Sequence, residues 1–388
     1  MKDNYLLPLS PGQLMARARD ITDINLIDDD VVEPLAILHR SYNEDALLSE
    51  QGALFVRDHL LRLLCNRLCM QRDFKAHPEI HEQEIERPIV ICGMARSGST
   101  KMQKLLASSG DFNWLPFWQS LNPSSCTGVP NESPTPRIRD SDEFVARWNA
   151  ASPECQFMHE FSTHEPDEEY FLMAHTLRIA PVGVTQVSGY MQWLMSIDSM
   201  SCQLRFLRDT LKYLQWQGLA SDVKRWILKA PHYYGHEIKL REVFPDASFI
   251  ATHRHPRETL PSLCSFLVAT TKVVSDAAMG DCSLFAGGAA CQINQQMANR
   301  SAQPALKMID VSYKELRDAA ATVAQQVYAF SDELLKPESR QRMVDWDRSH
   351  PIHAKGGHKY ALADFGFTDD QIDRDFAPYL KFMEERFS

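Results

Sequence analysis

The sequence predicts an α/β fold: a three-layer core with a parallel central sheet flanked by helices, preceded by a helical N-terminal region. Three observations carry this expectation. Residues Pro88 to Leu106 read PIVICGMARSGSTKMQKLL, an apolar strand that runs through a Gly/Ser/Thr turn straight into a helix. Between residues 225 and 330 short apolar strands alternate with amphipathic helical runs, the pattern of a parallel sheet covered on both faces. Residues 1–85 instead keep apolar side chains at helical spacing, with arginines on the opposite face.

In chain order, Ser10 and Pro11 form an N-cap and first-position pair before GQLMARARDI. The run ALFVRDHLLRLLCNRLCM (53–70) reads as a long amphipathic helix. No chemistry is visible in this part, so residues 1–85 are expected to form a cap, with an α/β domain over 86–388. Trp114, Phe117 and Trp118 follow the first strand–turn–helix unit and read as core packing, with part of the acceptor pocket as the alternative. The segment 120–140, rich in Ser, Pro, Asn and Gly, predicts a surface loop, with a mobile lid as the alternative. Helical stretches are expected over 166–180 and 190–217. The strands RWILKA, ASFIATH and LKMIDV then each lead into a helix, GHEIKLREVF, PRETLPSLCSFL and SYKELRDAAATVAQQVYAF respectively. In such sheets ligands gather at the C-terminal ends of the strands, here Gly93, Lys229 and His253–Arg254.

Composition narrows the function. With 41 basic and 51 acidic side chains the net charge is −10, which argues against a general nucleic-acid binder. An anion site must then be built from local Arg, Lys and backbone groups. No apolar run reaches the roughly 18 residues of a membrane span. Nine cysteines without a CxxC pair, Cys92 inside an apolar strand and no secretory leader predict reduced thiols in a cytoplasmic protein. Cys65 and Cys69 read as core fillers.

The turn after the first strand is an anion cradle. It points several backbone N–H groups at one spot and adds the positive end of a helix dipole. The pattern is G-x-x-x-x-G-x-T, with Gly93, Gly98 and Thr100 in place, but Ser99 stands where a triphosphatase loop carries lysine. This favours a nucleotide without a γ-phosphate. At a later strand exit, Arg254 precedes Ser262 by two helical turns, so guanidinium and hydroxyl can share one phosphate. Arg257 reads as a solvated charge.

Together these two sites resemble the sulfotransferases that use 3′-phosphoadenosine 5′-phosphosulfate (PAPS), especially bacterial members with a helical N-terminal extension. In motif order the resemblance covers residues 86–388. It implies that Arg96, Ser97, Gly98, Ser99 and Thr100 hold the 5′-phosphosulfate, and that Arg254 and Ser262 bind the 3′-phosphate. It further implies that AKGGHKYALADFGFT supplies a closing loop through Lys355, Gly356 and Gly357. Lys101 departs from relatives that place an adenine-stacking aromatic residue there. The implied reaction moves a sulfuryl group to a hydroxyl or amine of a small-molecule acceptor, leaves 3′-phosphoadenosine 5′-phosphate (PAP), and needs no metal. The oligomeric state stays open.

Sulfuryl transfer needs in-line placement, stabilisation of charge on the departing oxygens, and a base for the acceptor's proton. The resemblance gives Lys229 the bridging oxygen. It places a catalytic histidine near His232, although two residues separate the pair here where the cytosolic members have one. The other base candidates are Glu165, Glu168 and Glu169 in HEFSTHEPDEEYFLM, the last two also suiting a helix start. His159-Glu160 and His164 give H-E-x-x-x-H, one residue too long for the zinc-binding H-E-x-x-H. His353 and His358 fall in the closing loop, with a surface or phosphate-contact role. Two competing readings stand beside this one. A P-loop kinase or hydrolase would use Asp310, at a strand end, to hold Mg²⁺; a non-catalytic nucleotide-binding protein would lack the base or Lys229.

Overall fold

The structure is a computed structural model that describes residues 5–181, 186–220, 225–277, 282–351 and 361–387. Among them, four strands form one parallel sheet: β1 (Ile89–Gly93), β2 (Ile227–Lys229), β3 (Ser248–His253) and β4 (Met308–Ser312), in the order β2-β1-β3-β4. Ile91 lies opposite Lys229, Gly93 opposite Thr252, and His253 opposite Ser312. All four strands therefore end on one edge of the molecule.

Period-two alternation along β1 feeds two cores. Ile89 and Ile91 face the helices Ser99–Ala107 and Ala320–Phe330, packing with Met102, Leu105, Val323 and Val327. Val90 and Cys92 face the other way, into a cluster that also holds Leu60, Leu63 and Leu64 of the long helix Glu50–Ala76. The N-terminal helices thus share their apolar core with one face of the sheet. Ser10 caps the Pro11–Thr22 helix through a reciprocal bond with Gln13, as its sequence predicts.

Several elements differ from expectation. The Ser/Pro-rich segment 120–140 is not simply a surface loop. Its ends belong to the helices Phe117–Leu121 and Thr135–Ala151, and Ser120, Asn122, Ser124 and Ser125 are buried. Their polar groups have partners inside: Ser120 Oγ donates to the Glu168 carbonyl, Ser124 Oγ to Asn66, and the Asn122 amide to Asp140. Polar composition signals exposure only when such partners are missing. The 166–180 stretch makes one α-turn, Tyr170–Met173, and a 3₁₀ turn, Ala174–Thr176. The 190–217 stretch divides into Ser188–Ser196 and Ser199–Trp216, and the run after β4 breaks at Ala319. Phe117 packs against Phe144, Phe161 and Phe171 in the core. No described helix is long and apolar enough to cross a membrane.

Candidate active site at the strand exits

The cradle starts at Gly93 because β1 and β3 leave no room there for a side chain. A Cβ on Gly93 would stand 2.2 Å from Thr252 Oγ1 and 2.6 Å from the Thr252 carbonyl. Ser97 turns inward instead of facing the mouth of the loop. Its hydroxyl bonds the Met94 carbonyl at 2.6 Å and Thr252 Oγ1 at 2.7 Å, and its amide also donates to Met94. Ser97 is thus a staple of the loop, a correction to its expected place among the ligand-holding groups. Gly98 adopts φ 97° and starts the helix Ser99–Ala107, whose first amides have no acceptor one turn earlier. Arg96, a non-glycine residue, sits at φ 72°. Such backbone costs on the order of 1–3 kcal/mol and persists where surroundings hold it. Here Arg96 Nε donates to Ser262 Oγ at 3.0 Å and Nη1 to the Met158 carbonyl at 2.8 Å.

The two motifs that the sequence keeps far apart meet at this loop. Arg254 Nη1 donates to the Arg96 carbonyl at 3.2 Å, its Nε to Glu258 at 2.9 Å, and its guanidinium lies 4.1 Å from the Tyr313 ring centre. Arg257 turns away to ion pairs with Asp369 and Asp373. Lys101 pairs with Asp347 at 2.6 Å on the flanking Pro337–Ser349 helix.

The end of β2 brings in the proton-handling groups. Lys229 is buried, and its Nζ contacts Glu168 Oε1 at 2.6 Å and Thr100 Oγ1 at 3.4 Å. Glu168 keeps 22% of its side-chain surface exposed, so it faces both the lysine and the outside. Glu169 is fully buried and accepts the Lys229 amide and the Tyr233 hydroxyl. Such a group has no access to an acceptor, which removes Glu169 from the base candidates. Glu165 is exposed and approaches Lys104 at 3.7 Å. His232 stacks on Tyr170 with ring centres 5.5 Å apart, and its Nδ1 has no hydrogen-bond partner among the described residues. Burial pulls its pKa down to about 4, against the attraction of Glu168.

Three contributors had no signal in the sequence: Tyr170 under His232, Tyr313 under Arg254, and the His159–Asp167 pair at 3.1 Å. Asp167 Oδ1 also takes the Glu168 amide at 2.7 Å, which fixes the backbone beside the exposed carboxylate. Burial pushes Asp167 up, but His159 outweighs it and holds the carboxyl below its usual range. Asp310 is occupied by Arg300, Arg386 and His253. Burial raises its pKa, and His253 and Arg300 more than offset that, leaving it at about 2. Two arginines and His253, whose pKa burial lowers, displace the Mg²⁺-holding role considered for it. Among the described residues no group of three or more His, Cys, Asp or Glu is arranged to hold a metal ion. Lys355, Gly356, Gly357, His353 and His358 lie outside the described residues.

Comparison with known proteins points the same way. The model of the sulfotransferase family matches residues 88–335. The fold is similar to sulfotransferase STF9 from Mycobacterium avium, with a TM-score of 0.81, 23% identity, and 98% of each chain covered. It is also similar to sulfotransferase STF1 from Mycobacterium tuberculosis H37Rv, with a TM-score of 0.77, 25% identity, and 97% of this chain and 100% of that one covered. No curated protein sequence matches the chain.

Proposed function

The chain belongs to the sulfotransferase family, and on that premise we propose that it transfers a sulfuryl group from PAPS to a hydroxyl or amine of a small-molecule acceptor. One observation carries this reading: Thr100, Lys229 and Glu168 meet within hydrogen-bonding distance at the mouth of an anion cradle. The donor fits that cradle. Gly93 lets β1 lie close against Thr252, Gly98 makes the left-handed turn into the helix whose first amides suit an anion, and Arg96 and Arg254 supply positive charge locally on an acidic protein.

In this assignment Arg96, Gly98, Ser99 and Thr100 hold the 5′ end, while Arg254 and Ser262 hold the 3′-phosphate. Lys355, Gly356 and Gly357, outside the described residues, are assigned to the same phosphate by the resemblance. When bound, PAPS supplies an activated sulfuryl group on a leaving phosphate. Lys229, already aimed at Thr100, steadies the negative charge that grows on the bridging oxygen. Glu168 takes the acceptor's proton, and its partial exposure gives it access that Glu169 lacks. His232, weakened as a base by burial, lines the same place with Tyr170. All nine cysteines are free, which fits a reducing, cytoplasmic setting. The helical region 1–85 caps the 86–388 domain.

Two measurements test the donor assignment. PAP at about 100 times its Kd adds about 2.7 kcal/mol to stability and raises Tm by a few degrees. ATP with Mg²⁺ is expected to do far less, because Ser99 replaces the phosphate-binding lysine and Asp310 is already ion-paired. Stabilisation by ATP–Mg²⁺ and not by PAP would overturn the reading. Arg254→Ala removes a charged contact of about 1.5–3 kcal/mol and raises the donor KM roughly 10- to 150-fold, with kcat within a few fold. A selective fall in kcat would place Arg254 elsewhere.

A further inference from the structure

Two consecutive glutamates meet opposite surroundings. Glu168 reaches Lys229 Nζ and keeps contact with the outside. Glu169 is enclosed, and one of its oxygens, Oε2, receives both the Lys229 amide at 2.7 Å and the Tyr233 hydroxyl at 2.8 Å. Those two donors flank Ala230, Pro231 and His232, so a single carboxyl group staples both ends of the turn that leaves β2. The other oxygen, Oε1, is buried without a hydrogen-bond partner among the described residues.

We propose that Glu169 is a positioning residue that works as a neutral acid, fastening Lys229 and the turn bearing His232 to the segment that carries Glu168. The inference rests on the reading above, in which Lys229 and Glu168 serve sulfuryl transfer. The charge balance of the cluster requires it. Lys229 brings one positive charge and Glu168 already neutralises it at 2.6 Å. A second carboxylate would leave a buried anion with an unpaired oxygen, a costly arrangement. The other groups packed here do not relieve it. Tyr233 and, on β1, Cys92 are both pushed well above their usual range by burial, and His232 is held at about 4. Burial likewise pushes the Glu169 carboxyl up to about 8, although Tyr233 and Lys229 pull it down. Neighbouring acids driven apart in this way take different roles.

Glutamine is nearly isosteric with the neutral acid, and its amide oxygen accepts both bonds. Glu169→Gln is therefore expected to keep kcat within about threefold of wild type, whereas Glu169→Ala, which leaves both donors unpaired, loses tenfold or more. A second readout follows the proton without any turnover. As pH rises from the ordinary carboxylate range to about 8, the unfolded chain loses a proton that the folded chain keeps. Through this carboxyl wild type loses stability over that window, and Glu169→Gln lacks that contribution. The Tm of the variant minus that of wild type should therefore climb with pH and level off above about 8. A pH-independent difference would show Glu169 ionised, and a loss of kcat as large as that of Glu168→Gln would make it a base. Either result overturns the proposal. If Glu169→Gln does not fold, the infrared band of a protonated carboxyl in wild type replaces it. A band that fades across about pH 8 supports the proposal, and its absence below that pH overturns it. Because the Tm difference needs no substrate, failure of the catalytic roles given to Lys229 and Glu168 would show separately, in the activity of Glu168→Gln.

Discussion

Glu168→Gln is expected to lower kcat by about 10²- to 10⁴-fold, the usual contribution of a positioned general base, while PAP affinity stays within a few fold. The glutamine keeps the size of the side chain and can still accept from Lys229, so the loss reads the missing proton acceptor. The assignment follows from position. Glu168 is the glutamate of its segment that both contacts Lys229 Nζ and faces outward; Glu169 is sealed and Glu165 lies by Lys104. His232 is the control. Its imidazole is held at about 4 by burial and is already neutral at working pH, but it binds a proton weakly. His232→Ala should cost less in kcat than Glu168→Gln. The reverse order, measured with saturating donor, would move the base to His232.

Gly93→Ala is expected to be the most destabilising single change in the cradle, at about 3 kcal/mol or more. The added methyl would meet Thr252 Oγ1 at 2.2 Å, the Thr252 carbonyl at 2.6 Å and Ser97 Oγ at 2.9 Å. Thr252 belongs to β3, opposite Gly93 in the register, so its carbonyl retreats only if the two strands part. Ser97 cannot move aside without losing the bonds that close the loop. PAP-dependent stabilisation should vanish along with the stability. Gly12, with nothing within 4 Å of an added Cβ, provides the contrast: Gly12→Ala should be neutral or stabilising by about 0.4–1 kcal/mol. Equal Tm values for the two variants would refute the steric account.

Much of the cradle was legible because its chemistry is local. An apolar strand, two glycines and a helix start within a dozen residues dictate a turn with inward amides, and β1 and the Ser99–Ala107 helix appear where the pattern puts them. Within that motif, however, Ser97 was misread. Residue type marks a hydroxyl, and only the approach of Thr252 decides that it points inward. Lys101 could not be placed either, since its partner Asp347 belongs to a helix hundreds of residues away. The segment 120–125 misled for a related reason: its buried hydroxyls and amides find acceptors on Asn66 and on the 135–151 helix.

The amino-acid order by itself determined the alternation of strands and helices, the glycine-lined turn and the edge on which Gly93, Lys229 and Arg254 emerge, because hydrophobic period and backbone stereochemistry act over a few residues. The tertiary structure alone decided who pairs with whom. Arg96 with Ser262 and Arg254 with the Arg96 backbone are contacts across 166 and 158 positions. It also separated Glu168 from Glu169, identical neighbours in the chain. A carboxyl's protonation and reach depend on burial and on nearby charge, and these exist only once β2 has packed beside β1.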